Sequence, residues 1–194
     1  MISGEQEISA LVRRILTKIL DEEANATDSL GEVAERKSAL SLRTVAVASD
    51  HGGFTLKQQL IPWLQLQGYS VIDLGTNSSE SVDYPDFAFA AASAVMQGKA
   101  DAAIIIDGAG IGSAIAANKT PGVRASLCYD VATARNAREH NHANVLTFGA
   151  NQIDFEQAKA IVKTWLETPW GGGRHARRVA KITAIEQRFS KAHC

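Results

Sequence analysis

The stretch IIIDGAGIGSAIAANK, Ile104 to Lys119, joins three unlike pieces of chain. Three isoleucines make a short apolar run, the pattern of a strand buried on both faces. Asp107 ends it. Gly108, Gly110 and Gly112 follow at every second position, and Ser113 to Lys119 then read as helix. Strand, glycine loop and helix in that order are half of a βαβ unit.

The same alternation extends in both directions. TVAVAS, from Thr44, is an apolar strand ending at Asp50-His51-Gly52-Gly53. FTLKQQLIPWLQLQG is a helix closed by Gly68. YSVIDLG is a strand, TNSSESVDYPD a polar loop and FAFAAASAVMQG a helix. Beyond the quoted stretch, VRASLCY is a strand, DVATARNAREHN a helix, ANVLTFG a strand and FEQAKAIVKTWLE a helix. PWGGGRHAR reads as a loop before a last helix, RVAKITAIEQRFSKA. Strands alternating with helices predict a doubly wound α/β fold, a parallel sheet covered on both faces, in a single domain over residues 44–194. Ligands in such sheets bind beyond the carboxyl ends of the strands. Asp50-His51, the 107–112 loop and the segment around His140-Asn141 are therefore expected to carry the site.

Glycines ahead of a helix let the backbone turn tightly and aim its N–H groups into one cavity, which suits a phosphate or a reaction oxyanion. The spacing is G-x-G-x-G, not the dinucleotide pattern G-x-G-x-x-G, and no acidic ribose ligand stands out. Close helix–strand packing is the plainer use of the same glycines. Asp107 beside them has two readings as well. It is a turn or capping residue, or a base that removes a proton next to a carbonyl while the loop holds the enediolate oxygen.

Composition narrows the setting. The 194 residues carry a formal net charge of −1 and are 45% hydrophobic. That supports a sizeable core, and no global field recruits nucleic acid or membrane. Two cysteines, Cys128 and Cys194, make no disulfide framework, so the expected location is cytoplasmic. No zinc-ligand spacing and no run of about 20 apolar residues occurs.

Five segments together, ASDHGGFTLKQQL, the DYP of Asp83–Pro85, GAGIGSAIAANK, AREHNHANVLTFG and GGRHARR, resemble the ribose-5-phosphate isomerase B family with its galactose-6-phosphate and allose-6-phosphate isomerase relatives. The resemblance covers residues 44–190. It implies a flavodoxin-like sheet and a homodimer or homotetramer whose active sites are shared between subunits. It also implies interconversion of ribose 5-phosphate and ribulose 5-phosphate through an enediolate, without metal or cofactor. By matching motif, Asp50 and His51 lie near the substrate and Tyr84 lines the site. Gly108, Ala109, Gly110 and Gly112 form the anion hole. His140 helps open the sugar ring, Asn141 binds sugar hydroxyls, and Arg174 and Arg178 grip the phosphate. The residue chemistry agrees, because a histidine shuttles protons near neutral pH and guanidinium forks suit phosphate. Many family members have a cysteine base where this chain has Asp107. Others have a glutamate where this chain has Ser113, which cannot replace a base. Asp107 is thus the expected base. A six-carbon sugar phosphate as substrate and a non-catalytic sugar-phosphate-binding role are the alternatives.

Ahead of this domain, residues 1–24 read as an amphipathic helix and residues 25–43 as a linker. Ile8, Leu11, Val12, Ile15, Leu16, Ile19 and Leu20 make one apolar stripe. The segment resembles an encapsulation peptide, which implies docking of residues 3–23 on the shell proteins of a bacterial microcompartment. Packing on its own domain, a coiled coil with a second copy and a membrane surface are the competing uses of the stripe.

Overall fold

Ala102–Asp107 is the central strand, β3, and all six of its residues are buried. The computed structural model describes residues 42–190, so the expected N-terminal helix lies outside the described residues. Around β3 the chain runs β1 (Thr44–Ser49), α1 (Phe54–Leu66), β2 (Ser70–Asp73) and α2 (Tyr84–Met96). After β3 come α3 (Ile111–Ala117), β4 (Ala125–Leu127), α4 (Val131–Asn141), β5 (Val145–Gly149), α5 (Phe155–Glu167) and α6 (Gly173–Ser190). Every strand pair is parallel, as the alternation predicted. The strand order is β2-β1-β3-β5-β4. The fold is doubly wound as expected, but the order departs from the flavodoxin order 2-1-3-4-5, because β5 rather than β4 lies beside β3.

Side-chain alternation along the strands feeds two cores. Val45, Val47, Ile104, Ile106, Leu146 and Phe148 face α1, α4 and α5, where Leu60, Leu64, Ile161 and Trp165 fill the layer. Ala46, Ala48, Ala103 and Ile105 face α2, whose contribution is Ala88, Ala91, Ala92 and Ala94. Small residues on both sides let α2 lie close to the sheet.

Two boundaries differ from expectation. Leu42 packs on the first core, and the Arg43 N–H donates to Asp101 Oδ2 at 2.8 Å, so the last two residues of the expected linker belong to the α/β domain. The segment read as the loop PWGGGRHAR is already helical from Gly173. Its three glycines suggested a break, yet only Gly171 and Gly172 lie ahead of the helix.

The topology has one consequence for chemistry. From β1 the chain winds outward to β2, then crosses to β3 on the other side of β1. The carboxyl ends of β1 and β3 therefore flank the point where the winding direction reverses, the usual ligand crevice of an open α/β sheet.

Candidate active site

Asp50 follows β1 and Asp107 closes β3, so the topology places both carboxylates at this crevice. Asp50 is 8% exposed, and its Oδ1 accepts the Gly53 N–H at 3.0 Å. Gly53 is held hard against β3, since a Cβ there would stand 2.2 Å from the Ile106 carbonyl oxygen. A Cβ on neighbouring Gly52 would stand 3.3 Å from both Asp50 Oδ1 and Gly108 N, so the two glycine loops adjoin. His51 Nδ1 accepts the Val82 N–H at 3.3 Å, leaving Nε2 as the free ring nitrogen. Tyr84 opens α2, and its ring covers Gly112, where a Cβ would be 2.6 Å from Cζ.

The 107–112 loop does gather N–H groups around an anion. In this chain the anion is its own Asp107. The carboxylate is 5% exposed. Its Oδ1 accepts from Ala109 N at 2.7 Å and from Gly110 N, and its Oδ2 accepts from Ser113 N at 3.1 Å and Ser113 Oγ at 2.5 Å. The loop is fixed from outside as well. Gly110 is left-handed (φ 74°), and a Cβ there would be 2.5 Å from Leu127 and 2.7 Å from the Phe148 carbonyl carbon. Tyr129 Oη donates to the Ala109 carbonyl, and Thr147 Oγ1 donates to that of Gly110 at 3.0 Å. Of the four residues expected to form the anion hole, Ala109 and Gly110 spend their N–H groups on Asp107. No acceptor among the described residues takes the N–H of Gly108 or Gly112.

The remaining expected residues gather elsewhere. His140 and Asn141 sit at the C-terminus of α4, which leads into β5. A crossover helix runs antiparallel to its strands, so this end lies at the amino rim of the sheet. The expectation that His140-Asn141 joins Asp50 and Asp107 at the carboxyl ends is corrected by that geometry. Eleven helical residues, about 16 Å at 1.5 Å each, separate the two ends of α4. His140 Nδ1 bonds Asn136 Nδ2 at 2.9 Å, and Asn141 Nδ2 donates to the Asn136 carbonyl at 3.3 Å. Arg174 and Arg178 stand one turn apart on α6, as a shared helical face requires. His175 between them stacks on His140, with ring centroids 4.2 Å apart and planes 4° from parallel. Among the described residues, no hydrogen bond or ion pair joins this basic group to the group around Asp107.

Residues 45–182 match the family model described as Ribose/Galactose Isomerase. The chain belongs to that family. Ribose-5-phosphate isomerase B of Escherichia coli (strain K12) is 47% identical over 147 residues, which are 76% of this chain and 99% of that protein. The protein of the same name from Mycolicibacterium paratuberculosis is 41% identical over 145 residues, 74% of this chain and 91% of that protein. The solved structure of Clostridium thermocellum ribose-5-phosphate isomerase B matches with a TM-score of 0.74 at 48% identity, covering 75% of this chain and 99% of that one. Ribose-5-phosphate isomerase B from Mycoplasma genitalium, solved with bound ribulose-5-phosphate, matches with a TM-score of 0.72 at 40% identity, covering 74% and 96%.

In this isomerase-family chain, further residues pack around His140. His175 and Trp170 lie in the segment read as a loop, and His142 follows α4 directly. His142 adopts a left-handed conformation (φ 49°) and stacks on Trp170 at 4.8 Å, which in turn meets the His175 ring edge-on. The Gly171 N–H donates to the Glu139 carbonyl at 2.9 Å, completing the anchorage of the loop that starts α6. Burial, then proximity to His140, Arg174 and Arg178, pushes the His175 imidazole below its ordinary pKa. Among the described residues, no trio of His, Cys, Asp or Glu is arranged to hold a metal ion, and no helix is long and apolar enough to cross a membrane.

His142 supplies a test of this anchorage. Burial first, then Arg124 and Arg138, push its pKa down to about 4, while the unfolded chain takes up that proton near 6.5. Acid therefore favours the unfolded chain, and the stability at stake is present above pH 6.5 and lost as pH falls towards 4. His142→Asn keeps a residue that tolerates the left-handed backbone. Urea titrations should show the loss of stability between pH 7 and pH 4.5 shrinking in this variant, by on the order of 2 kcal/mol.

Proposed function

We propose that this chain interconverts ribose 5-phosphate and ribulose 5-phosphate through an enediolate. Asp107 is the proton-transferring base in place of the family's cysteine. The observation that carries the reading is Asp107 itself, a carboxylate at the switch point of the sheet, beside two N–H groups (Gly108 and Gly112) that are free to take an oxyanion. Relatives named ribose-5-phosphate isomerase B over almost their whole length support the substrate class. In this reading the C–H electron pair at C2 of the aldose moves into the enediolate double bond, the C1 carbonyl oxygen takes the charge, and the carbon-bound proton passes to Asp107. The C2 hydroxyl proton shifts to the C1 oxygen as the C2 carbonyl forms, and Asp107 returns its proton to C1. His51 and Tyr84 line the sugar. His140 opens the ring, Asn141 binds its hydroxyls, and Arg174 with Arg178 holds the phosphate. The family's description also names galactose, which favours a six-carbon sugar phosphate as the second reading.

A second copy of the chain completes the site. The two groups of residues lie at opposite rims of one sheet, so bringing them to one sugar phosphate requires a partner's basic group. Exposed apolar residues on α3 (Ile111, Ile115) and α6 (Ile182, Ile185, Phe189) offer the surface for such a dimer. Asp107→Asn and His140→Ala should each abolish most ribose 5-phosphate turnover. Mixed under subunit exchange, the two inactive variants should recover about a quarter of wild-type activity, because half of the dimers are mixed and each of those holds one intact site. Recovery of nothing, with exchange verified by mass, would place both residues in one subunit's site.

For residues 3–23 we propose docking on microcompartment shell proteins, supported by the apolar stripe from Ile8 to Leu20. Deleting residues 1–24 should leave turnover intact and remove co-purification with shells. Failure of the truncated chain to fold would assign the stripe to its own domain instead.

A further inference from the structure

The bonds on Asp107 pose a difficulty for a base. A carboxylate offers four lone-pair sites, two on each oxygen. Here four donors address them: Ala109 N and Gly110 N on Oδ1, Ser113 N and Ser113 Oγ on Oδ2. Every site is thus met by a donor. An O–H formed on either oxygen meets backbone N–H groups that can only donate.

One of the four partners differs in kind. A serine hydroxyl both donates and accepts. We propose that Ser113 is a positioning residue for proton transfer, its hydroxyl turning from donor to acceptor when Asp107 takes the substrate proton. This rests on the isomerase reading above. Ser113 is fully buried, so bulk water does not supply that acceptor in its place. The three N–H donors belong to a loop pinned by Tyr129, Thr147 and the left-handed Gly110, so they do not swing aside. The serine hydroxyl rotates about a single bond.

The step balances. The substrate C–H bond breaks, and its electron pair forms the enediolate double bond. The proton becomes Oδ2–H on Asp107, and that O–H donates to Ser113 Oγ. The C2 hydroxyl proton shifts to the C1 oxygen as the C2 carbonyl forms, delivery of the Asp107 proton to C1 restores the carboxylate, and the Ser113 hydroxyl turns back to donate. Ser113 itself forms no bond to substrate and gains no net proton.

The experiment is steady-state kinetics of Ser113→Ala and Ser113→Thr with ribose 5-phosphate and with its 2-deuterated form. Ser113→Ala should lower kcat at least about tenfold, the worth of a hydrogen bond to a charged or ionising group. KM should change little, because the alanine touches no substrate. The deuterium isotope effect on kcat should grow, because the proton-transfer step is the one slowed. Ser113→Thr keeps the hydroxyl and should restore kcat. If Ser113→Ala does not fold, Ser113→Cys replaces it, and its poorly accepting thiol should give the same fall. Wild-type kcat in the alanine variant would overturn the assignment, as would a fall in kcat with an unchanged isotope effect. Wild-type chain that turns over neither five- nor six-carbon sugar phosphates would bring down the isomerase reading first and Ser113 with it. That failure is read before any variant is made, so the two remain distinct.

Discussion

The clasp between the Asp107 carboxylate and the backbone of its own glycine loop is the interaction on which the site depends. It ends β3, sets the path of residues 108–110 and satisfies N–H groups at the start of α3. The same donors are those that a loop of this kind ordinarily aims at a substrate oxygen. Two of the four N–H groups proposed for the anion hole are thus taken by the chain's own carboxylate. Chemistry at this loop must be arranged around that carboxylate, either by using it as the base or by displacing it. Gly108 and Gly112, whose N–H groups are uncommitted, are what the loop has left to give a developing oxyanion.

Topology supplies the second constraint. A right-handed crossover returns each helix to the amino rim before the next strand begins. Residues at the end of a helix and residues at the end of a strand are therefore kept a helix-length apart. His140 and Asn141 belong to the first kind, Asp50 and Asp107 to the second. The basic cluster is organised in its own right. The His142–Trp170 stack and the Gly171–Glu139 bond fix the loop from which α6 starts, and His175 lies flat against His140. The basic cluster and the Asp107 loop thus stand at opposite rims of one sheet, which is the observation behind the proposed second copy.

Much of this was legible in the sequence, for physical reasons. Three consecutive isoleucines cannot alternate, so β3 had to be buried on both faces, and it is. Gly68 closes a helix in the expected left-handed conformation (φ 89°). The strand order was not legible. Whether β4 or β5 pairs with β3 depends on which face each helix covers, and the apolar strand ends VRASLCY and ANVLTFG look alike. The start of α6 was misread because glycine is a poor helix former and masked the helix-favouring Arg174-His175-Ala176-Arg177 run behind it, whose His175 also stacks on α4. The bonds of Asp107 were only half legible. Its capping and basic uses were both visible, and only coordinates could show that all four of its lone-pair sites are engaged. Likewise Ser113 could be dismissed as a base from its chemistry, but its place on Oδ2 is a matter of geometry.

The measurement that bears most directly on the central claim is isomerisation of ribose 5-phosphate by the purified chain in deuterated water, followed by NMR of both sugars. A proton that rests on a carboxylate can exchange with solvent each time the site opens over many reversible turnovers, whereas a hydride passed directly between carbons cannot. The account predicts turnover with deuterium appearing at C2 of ribose 5-phosphate and at C1 of ribulose 5-phosphate, and loss of both turnover and exchange in Asp107→Asn. Turnover with full retention of the original hydrogen, or exchange undiminished in Asp107→Asn, would contradict it.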